Sequence, residues 1–282
     1  MIDMLNGYEG PIFSPSQTAI YKECPLAWFM RYNYKYESRT YNHKEIAGCV
    51  GTAFSEYQEF LPGGHEQALD KAMDSLLHRL SVLKETRDLS EKAVAYERTA
   101  TDRLEKFVKL FRTTIVIPSG WTLYDRERAF DRWGRARVDS LYETSMGDNG
   151  VLDWKTRGRL QANQRDKAQR EFATSNQLYH YCAMASHELQ LDFNQFSICI
   201  LTLEPKPWIA LWQYRVKREF LKVWIAGRIQ DWQDMDAIKR GERIPSPATE
   251  HENKYGKCQY HDACFKHGLD TDLIQQDFII RG

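Results

Sequence analysis

The chain has 282 residues, 42% of them hydrophobic and 28% charged, and its 39 Lys and Arg balance 39 Asp and Glu. That length can bury a full core, the zero net charge excludes a chain-wide electrostatic footprint for a polyanion, and no apolar run approaches the ~20 residues of a membrane-spanning helix. The start, MIDMLNGYEG, lacks the basic and apolar regions of a signal peptide, so a cytoplasmic location is expected.

The first segment, SPSQTAIYKECPLAWFMRYNY, reads as a short helix capped by Ser14 or Ser16, with Ile20, Ala27, Trp28 and Phe29 on its apolar stripe. A second helix is expected from Ala47 to Phe60, closed by Pro62-Gly63-Gly64. From His65 to about Val116, apolar residues recur at spacings of three and four, first Leu69 to Leu83 and then Ala93 to Phe111. This predicts two helices joined at an N-cap Ser90.

The middle third changes character. Trp121–Trp133, Arg135–Tyr142 and Val151–Thr156 read as consecutive strands, with a turn cluster from Ser145 to Gly150. A helix is expected from Asn163 to Leu189, then strands Phe196–Leu203 and Ile209–Val216, then a long helix from Lys217 to Arg240. The tail from Gly241 is irregular and carries Cys and His. The chain thus divides into N-terminal helices of a core (1–64), a helical insert (65–116), an α/β core (117–240) and a C-terminal segment that packs back on the N-terminus (241–282).

Chemistry concentrates on the two central strands. In Val151-Leu152-Asp153-Trp154-Lys155, the period of two sends Asp153 and Lys155 to one side and Leu152 and Trp154 to the other, toward a core. The preceding strand embeds Asp139 in an apolar stretch, Val138-Asp139-Ser140-Leu141. Two carboxylates and one ammonium on a hairpin suit phosphodiester hydrolysis: the carboxylates can hold Mg²⁺ or Mn²⁺, and the Lys can orient a water. The acid-x-Lys triplet is weak evidence alone, because Glu204-Pro-Lys206 and Glu252-Asn-Lys254 repeat it. Only Asp153 sits in a predicted strand, behind a turn, after another strand with its own acid. Gln177 and Tyr181, four apart on a predicted helix, share one face. Six basic residues between Lys155 and Arg170 oppose the single acid Asp166, which makes Arg157 and Arg159 candidates for DNA phosphate contact. A second run, Arg126 to Arg137, holds five Arg.

The order Gly134-Arg-x-Arg-Val-Asp139, Asp153-x-Lys155, Gln177-x-x-x-Tyr181 resembles the PD-(D/E)XK superfamily, and within it the RecB-like and Cas4-like exonucleases, phage-encoded ones included. Ser14-x-Ser16 and Tyr21-x-x-Cys24-Pro25 are similar to the start of that family, so the likeness runs nearly end to end apart from the helical insert. The resemblance implies a restriction-endonuclease-like α/β core, a mixed central sheet flanked by helices. It also implies a metal-dependent DNA exonuclease that processes ends in recombination or replication. Asp139, Asp153, Lys155, Gln177 and Tyr181 would be its catalytic residues, and a single-strand annealing or other recombination protein a plausible partner. One departure stands out. Where the family has Gly-x-x-x-His with a metal-ligating His, this chain has Gly51-Thr-Ala-Phe-Ser55. Glu56 or Glu59 could replace that ligand, Glu59 lying one helical turn beyond Ser55; the alternatives are a site that holds its metal weakly or works with one ion, and an inactive DNA-binding or assembly module of the same fold.

Six Cys in a cytoplasmic protein do not make a disulfide framework; Cys49, Cys182 and Cys199 read as buried small hydrophobes. By resemblance, Cys24, Cys258 and Cys264 correspond to three of four ligands of a [4Fe–4S] cluster, and the fourth Cys is missing, with Glu252 or Tyr255 near its place. Zn²⁺ held by Cys24, Cys258, His261 and Cys264 is the alternative metal reading, and ordinary reduced thiols the third.

Overall fold

A computed structural model describes residues 5–247 apart from 6, 39, 42, 115 and 135, and beyond them 252, 253, 256, 257, 260, 263, 264, 272, 274 and 278–280. Helices α1 (Pro15–Glu23) and α2 (Pro25–Tyr32) occupy the first segment. The single helix expected there is split because Pro25 supplies no amide hydrogen and restricts the residue before it. Cys24 is accordingly extended, and its Sγ accepts the Ala27 amide at 3.4 Å as the N-cap of α2. Strands β1 (Tyr36–Ser38) and β2 (Thr40–Tyr41) lead to α3 (His43–Phe60), α4 (His65–Thr86) and β3 (Asp88–Leu89). Ser90 caps α5 (Glu91–Glu97), as its position predicts, but a further helix, α6 (Ala100–Thr113), follows separately. At the break the Thr99 hydroxyl donates to the Tyr96 carbonyl, a local bond that competes with the helix ladder.

The central strands are β4 (Trp121–Phe130), β5 (Ala136–Thr144) and β6 (Asn149–Arg159). Where one helix was expected between 163 and 189 there are two, α7 (Arg165–Ala173) and α8 (Asn176–Leu189), because Ser175 caps a new start by accepting the Leu178 amide at 3.3 Å. β7 (Phe193–Glu204), β8 (Trp208–Arg215) and α9 (Arg218–Lys239) complete the core. Short β9 (Glu252–Asn253) and β10 (Gly256–Lys257) pair in the tail, and β11 (Phe278–Ile280) runs antiparallel to β1.

The five long strands form one sheet in the order β4-β5-β6-β7-β8, antiparallel except for the parallel pair β6–β7, which α7 and α8 connect. This is the mixed sheet flanked by helices that a restriction-endonuclease-like core requires. Alternation along β6 and β7 feeds two cores. Val151, Phe196, Ile198 and Ile200 pack with Tyr181, Leu221, Ile225 and Trp232 on one side. Leu152, Trp154, Cys199 and Leu201 pack on the other with Phe54, Leu76, Leu104 and Phe107 of α3, α4 and α6. A third, small core ties α2 to the tail through Leu26, Met30, Tyr260 and Phe278, and the Tyr260 hydroxyl donates to the Tyr36 carbonyl at 2.8 Å. Among the described residues no helix is long and apolar enough to cross a membrane.

Candidate active site

The β5–β6 hairpin is zipped only near its turn. Register runs from Glu143↔Asn149 to Ser140↔Leu152 and stops there, while β6 continues alongside β7 as far as Arg159↔Glu204. Asp139 and Asp153 are therefore the first residues past the point where the two strands part. Alternation along β5 slips at the same place: Val138 and Leu141, three apart, both enter the first core. The Trp154 amide, which has no strand partner on that side, donates instead to Asp139 Oδ2 at 2.6 Å. A side chain thus does at the fork what a strand would otherwise do.

The fork opens into a cleft of about 490 Å³. One wall is α3, through Ala47, Gly48, Gly51, Thr52 and Ser55; the opposite wall is α8, through Gln177 and Tyr181. Gly51 permits the close approach of α3 to β6, since a Cβ there would meet the Thr156 hydroxyl at 3.2 Å. Between the walls lie Asp139, Asp153 and Lys155. Lys155 Nζ donates to Asp153 Oδ1 at 3.0 Å, and Gln177 Nε2 lies 3.4 Å from the same oxygen and 3.0 Å from the Tyr181 hydroxyl. Asp153 is 2% exposed. Burial raises the pKa of both carboxylates; at Asp139 the neighbouring Asp153 raises it further, and at Asp153 the ammonium of Lys155 pulls the other way. For Lys155, burial favours the neutral amine, but Asp153 and Asp139 override it, so the ammonium is held more firmly than in water. Tyr181 is pushed up by burial first and by the two carboxylates next, so its hydroxyl stays protonated.

The model of the PD-(D/E)XK nuclease superfamily matches residues 12–265. The chain belongs to that superfamily. Among solved structures, this PD-(D/E)XK protein is similar over 93% of its length to 94% of a protein from Eubacterium rectale described provisionally as an exonuclease, at 14% identity and a TM-score of 0.47. A second structure, SSO0001, is covered over 78% of its chain by 70% of this one, at 12% identity and a TM-score of 0.21. No curated protein matches.

Within this PD-(D/E)XK fold, Asp139, Asp153, Lys155, Gln177 and Tyr181 come together in one cleft. Glu59 does not join them. The α3 wall ends at Ser55, and Glu59, one turn farther along, is exposed beyond the cleft. Glu56 is taken up by Arg79 at 2.7 Å. Arg157 and Arg159 continue β6 past Lys155 and are exposed, with Arg157 lying over the Phe172 ring at 5.6 Å. Cys24 and Cys264 both border the small core between α2 and the tail, whereas Cys258, His261 and Tyr255 lie outside the described residues.

Two cleft residues escaped the sequence reading: Glu127 of β4 and Arg137 of β5. Both fall within the Arg126–Arg137 run, whose place beside the candidate site points to DNA phosphate contact without singling out either residue. The signal available was position: an acid on the strand antiparallel to the one bearing Asp139. Glu127 is pushed up to about 7, by burial first and against the pull of Arg137.

Among the described residues no three His, Cys, Asp or Glu side chains are grouped closely enough to hold a metal ion together. The chemistry of the fork nevertheless fits a hard divalent cation, which prefers carboxylate oxygens and keeps several of its waters. Asp153 Oδ2 is buried and, although 2.7 Å from the Lys155 ammonium, has no partner in hydrogen-bonding geometry, so it retains acceptor capacity, and the Asp153 charge is close enough to raise the pKa of Asp139.

Proposed function

We propose that this protein is a Mg²⁺- or Mn²⁺-dependent deoxyribonuclease that acts from DNA ends, in the manner of the RecB-like and Cas4-like exonucleases, and processes those ends in recombination or replication. The observation that carries the reading is the unzipped fork, where a buried and a half-buried carboxylate and one ammonium converge in an open cleft. Asp139 and Asp153 would hold the cation, which supplies charge stabilisation on the phosphate and lowers the pKa of a bound water. Lys155, kept protonated by its two carboxylates, donates to the attacking water and orients it. Gln177 bridges Asp153 and Tyr181 and so fixes the carboxylate's rotamer. Arg157 and Arg159 lie on the strand that leads out of the cleft, where they are suited to neutralise backbone phosphates. A single-strand annealing protein is a fitting partner for the strand such a reaction exposes.

The test is degradation of end-labelled single- and double-stranded DNA with Mg²⁺ or Mn²⁺, beside Lys155→Ala. Metal-dependent product that vanishes in the variant is the expected result, and intact DNA on every end type with wild-type protein would refute it. A second reading rests on Ser55, a poor metal ligand on the cleft wall where the resemblance places His. On that reading the protein is a DNA-binding module of the same fold, and binding survives Asp153→Ala without any cleavage.

A further inference from the structure

The geometry points to Arg137 as the phosphate-binding group at the mouth of the cleft, with Glu127 as the positioning residue that aims it. The inference rests on the reading that DNA enters this cleft, and it goes beyond the Arg157 and Arg159 track.

Pairing of β4 with β5 brackets the position: Arg126↔Ser140 on one side and Arg128↔Val138 on the other. Glu127 therefore falls opposite Asp139, yet it adopts φ 49°. A non-glycine residue in the left-handed region, inside a strand, is strained and persists where its surroundings over-determine it. Here the result is a carboxylate turned inward. The Glu127 side chain is 5% exposed, whereas that of Arg137 is 56% exposed. Arg137 Nη1 donates to Glu127 Oε2 at 3.4 Å, and Oε1 is buried with no partner.

Lys155 and Arg137 are the two basic residues that line the cleft. They differ in availability. Lys155 is held deep by Asp153 at 2.7 Å and is committed there. Arg137 is tethered through one nitrogen, and in so exposed a side chain the guanidinium keeps further N–H donors accessible. Such a group suits a phosphate oxygen, which it can take bidentately. A buried carboxyl group behind it fixes the fork without competing for the outer edge.

The test uses the full chain and a short DNA duplex, read as binding by fluorescence anisotropy in Ca²⁺ over a salt series, with cleavage in Mg²⁺ as a separate arm. Arg137→Ala is expected to weaken binding roughly tenfold at low salt and to reduce the slope of log affinity against log salt by about one. Arg137→Lys should recover the slope but not the full cleavage rate, because an ammonium cannot hold Glu127 and phosphate in one fork. Glu127→Gln should lower affinity, and the double variant should bind no worse than Arg137→Ala, since both remove one unit. Mn²⁺ affinity by calorimetry should be unchanged in Glu127→Gln. Wild-type affinity and slope in Arg137→Ala would overturn the proposal. So would loss of Mn²⁺ binding in Glu127→Gln with DNA binding intact, which would make Glu127 a cation ligand instead. Because the binding arm needs no cleavage, a wild-type protein that binds through Arg137 yet never cuts would defeat the nuclease reading and leave this one standing.

Discussion

The β5–β6 hairpin has two ends built on opposite principles. At the closed end, Tyr142 stacks on Trp121 with ring centroids 3.9 Å apart, and its hydroxyl meets the Ser197 hydroxyl at 2.8 Å. The Thr144 amide closes the turn onto the Asp148 carbonyl at 2.9 Å. Tyr142 and Ser197 are buried there, and each polar group named has a partner. At the open end, strand pairing has ceased, Asp139 and Asp153 line one cleft, and Asp153 Oδ2 has the Lys155 ammonium 2.7 Å away but no hydrogen-bond partner. The same two strands thus hold the sheet together at one end and store an unfavourable charge arrangement at the other. Crowding two carboxylates at a fork costs stability where they sit, and well-paired structure a few residues away offsets that cost.

The largest expected effect is at the open end. Lys155→Ala should reduce cleavage by about a thousandfold or more, a loss of about 4 kcal/mol in transition-state stabilisation, while the fold loses less than that, because the two raised carboxylates take up protons once the ammonium is gone. Equal losses in both would mean that Lys155 is structural. Next comes the closed end. A Cβ at Gly150 would lie 2.1 Å from the Tyr142 ring, which is buried and pinned by Trp121, so it has no room to yield. Gly150→Ala is expected to destabilise by about 3 kcal/mol in denaturant melts, near the upper end of typical overpacking penalties, with any residual activity needing the same metal.

A smaller effect of opposite sign separates the ends further. In chelator, Asp153→Asn should stabilise the protein by about 1–2 kcal/mol at neutral pH, because it removes one of two buried like charges. The pH dependence follows in sign. Both carboxylates are raised in the folded state, so their contribution is fully present below the ordinary carboxylate range and is lost as pH rises through the folded values. The wild type in chelator should therefore gain stability on acidification relative to Asp153→Asn, and parallel curves would show that the pair is not strained. Smallest is Tyr142→Phe, about 1 kcal/mol destabilising, since one buried hydroxyl pair is lost while the stack on Trp121 remains. An unchanged melt would show that the stack alone closes this end.

Much of the candidate site could be read from the chain because its residues obey short periods. Asp153 and Lys155 are two apart on a strand, and Gln177 and Tyr181 are four apart on a helix; each pair is fixed to one face by local geometry alone. Trp154, between the two charged residues, duly enters the opposite core. Glu127 and Arg137 obey no such rule. Their meeting depends on how β4 registers against β5 and on one residue with inverted φ, and neither is encoded in spacing. Glu59 lies outside the cleft lining for a related reason: helical periodicity gives a direction, and only packing decides where the cleft wall ends.

The sequence by itself determined the strand alternation, the N-cap at Ser90 and a capping Ser at 14 or 16, and the two acids and Lys on consecutive strands, because each is a matter of neighbours within a turn or a pleat. Tertiary structure decided the rest. It split helices where Pro25 or a capping Ser175 offered the backbone a better local bond, and it brought α3 and α8 to opposite sides of the fork. It also ended the β5–β6 pairing one residue before the acids, and so opened the space in which their charges meet.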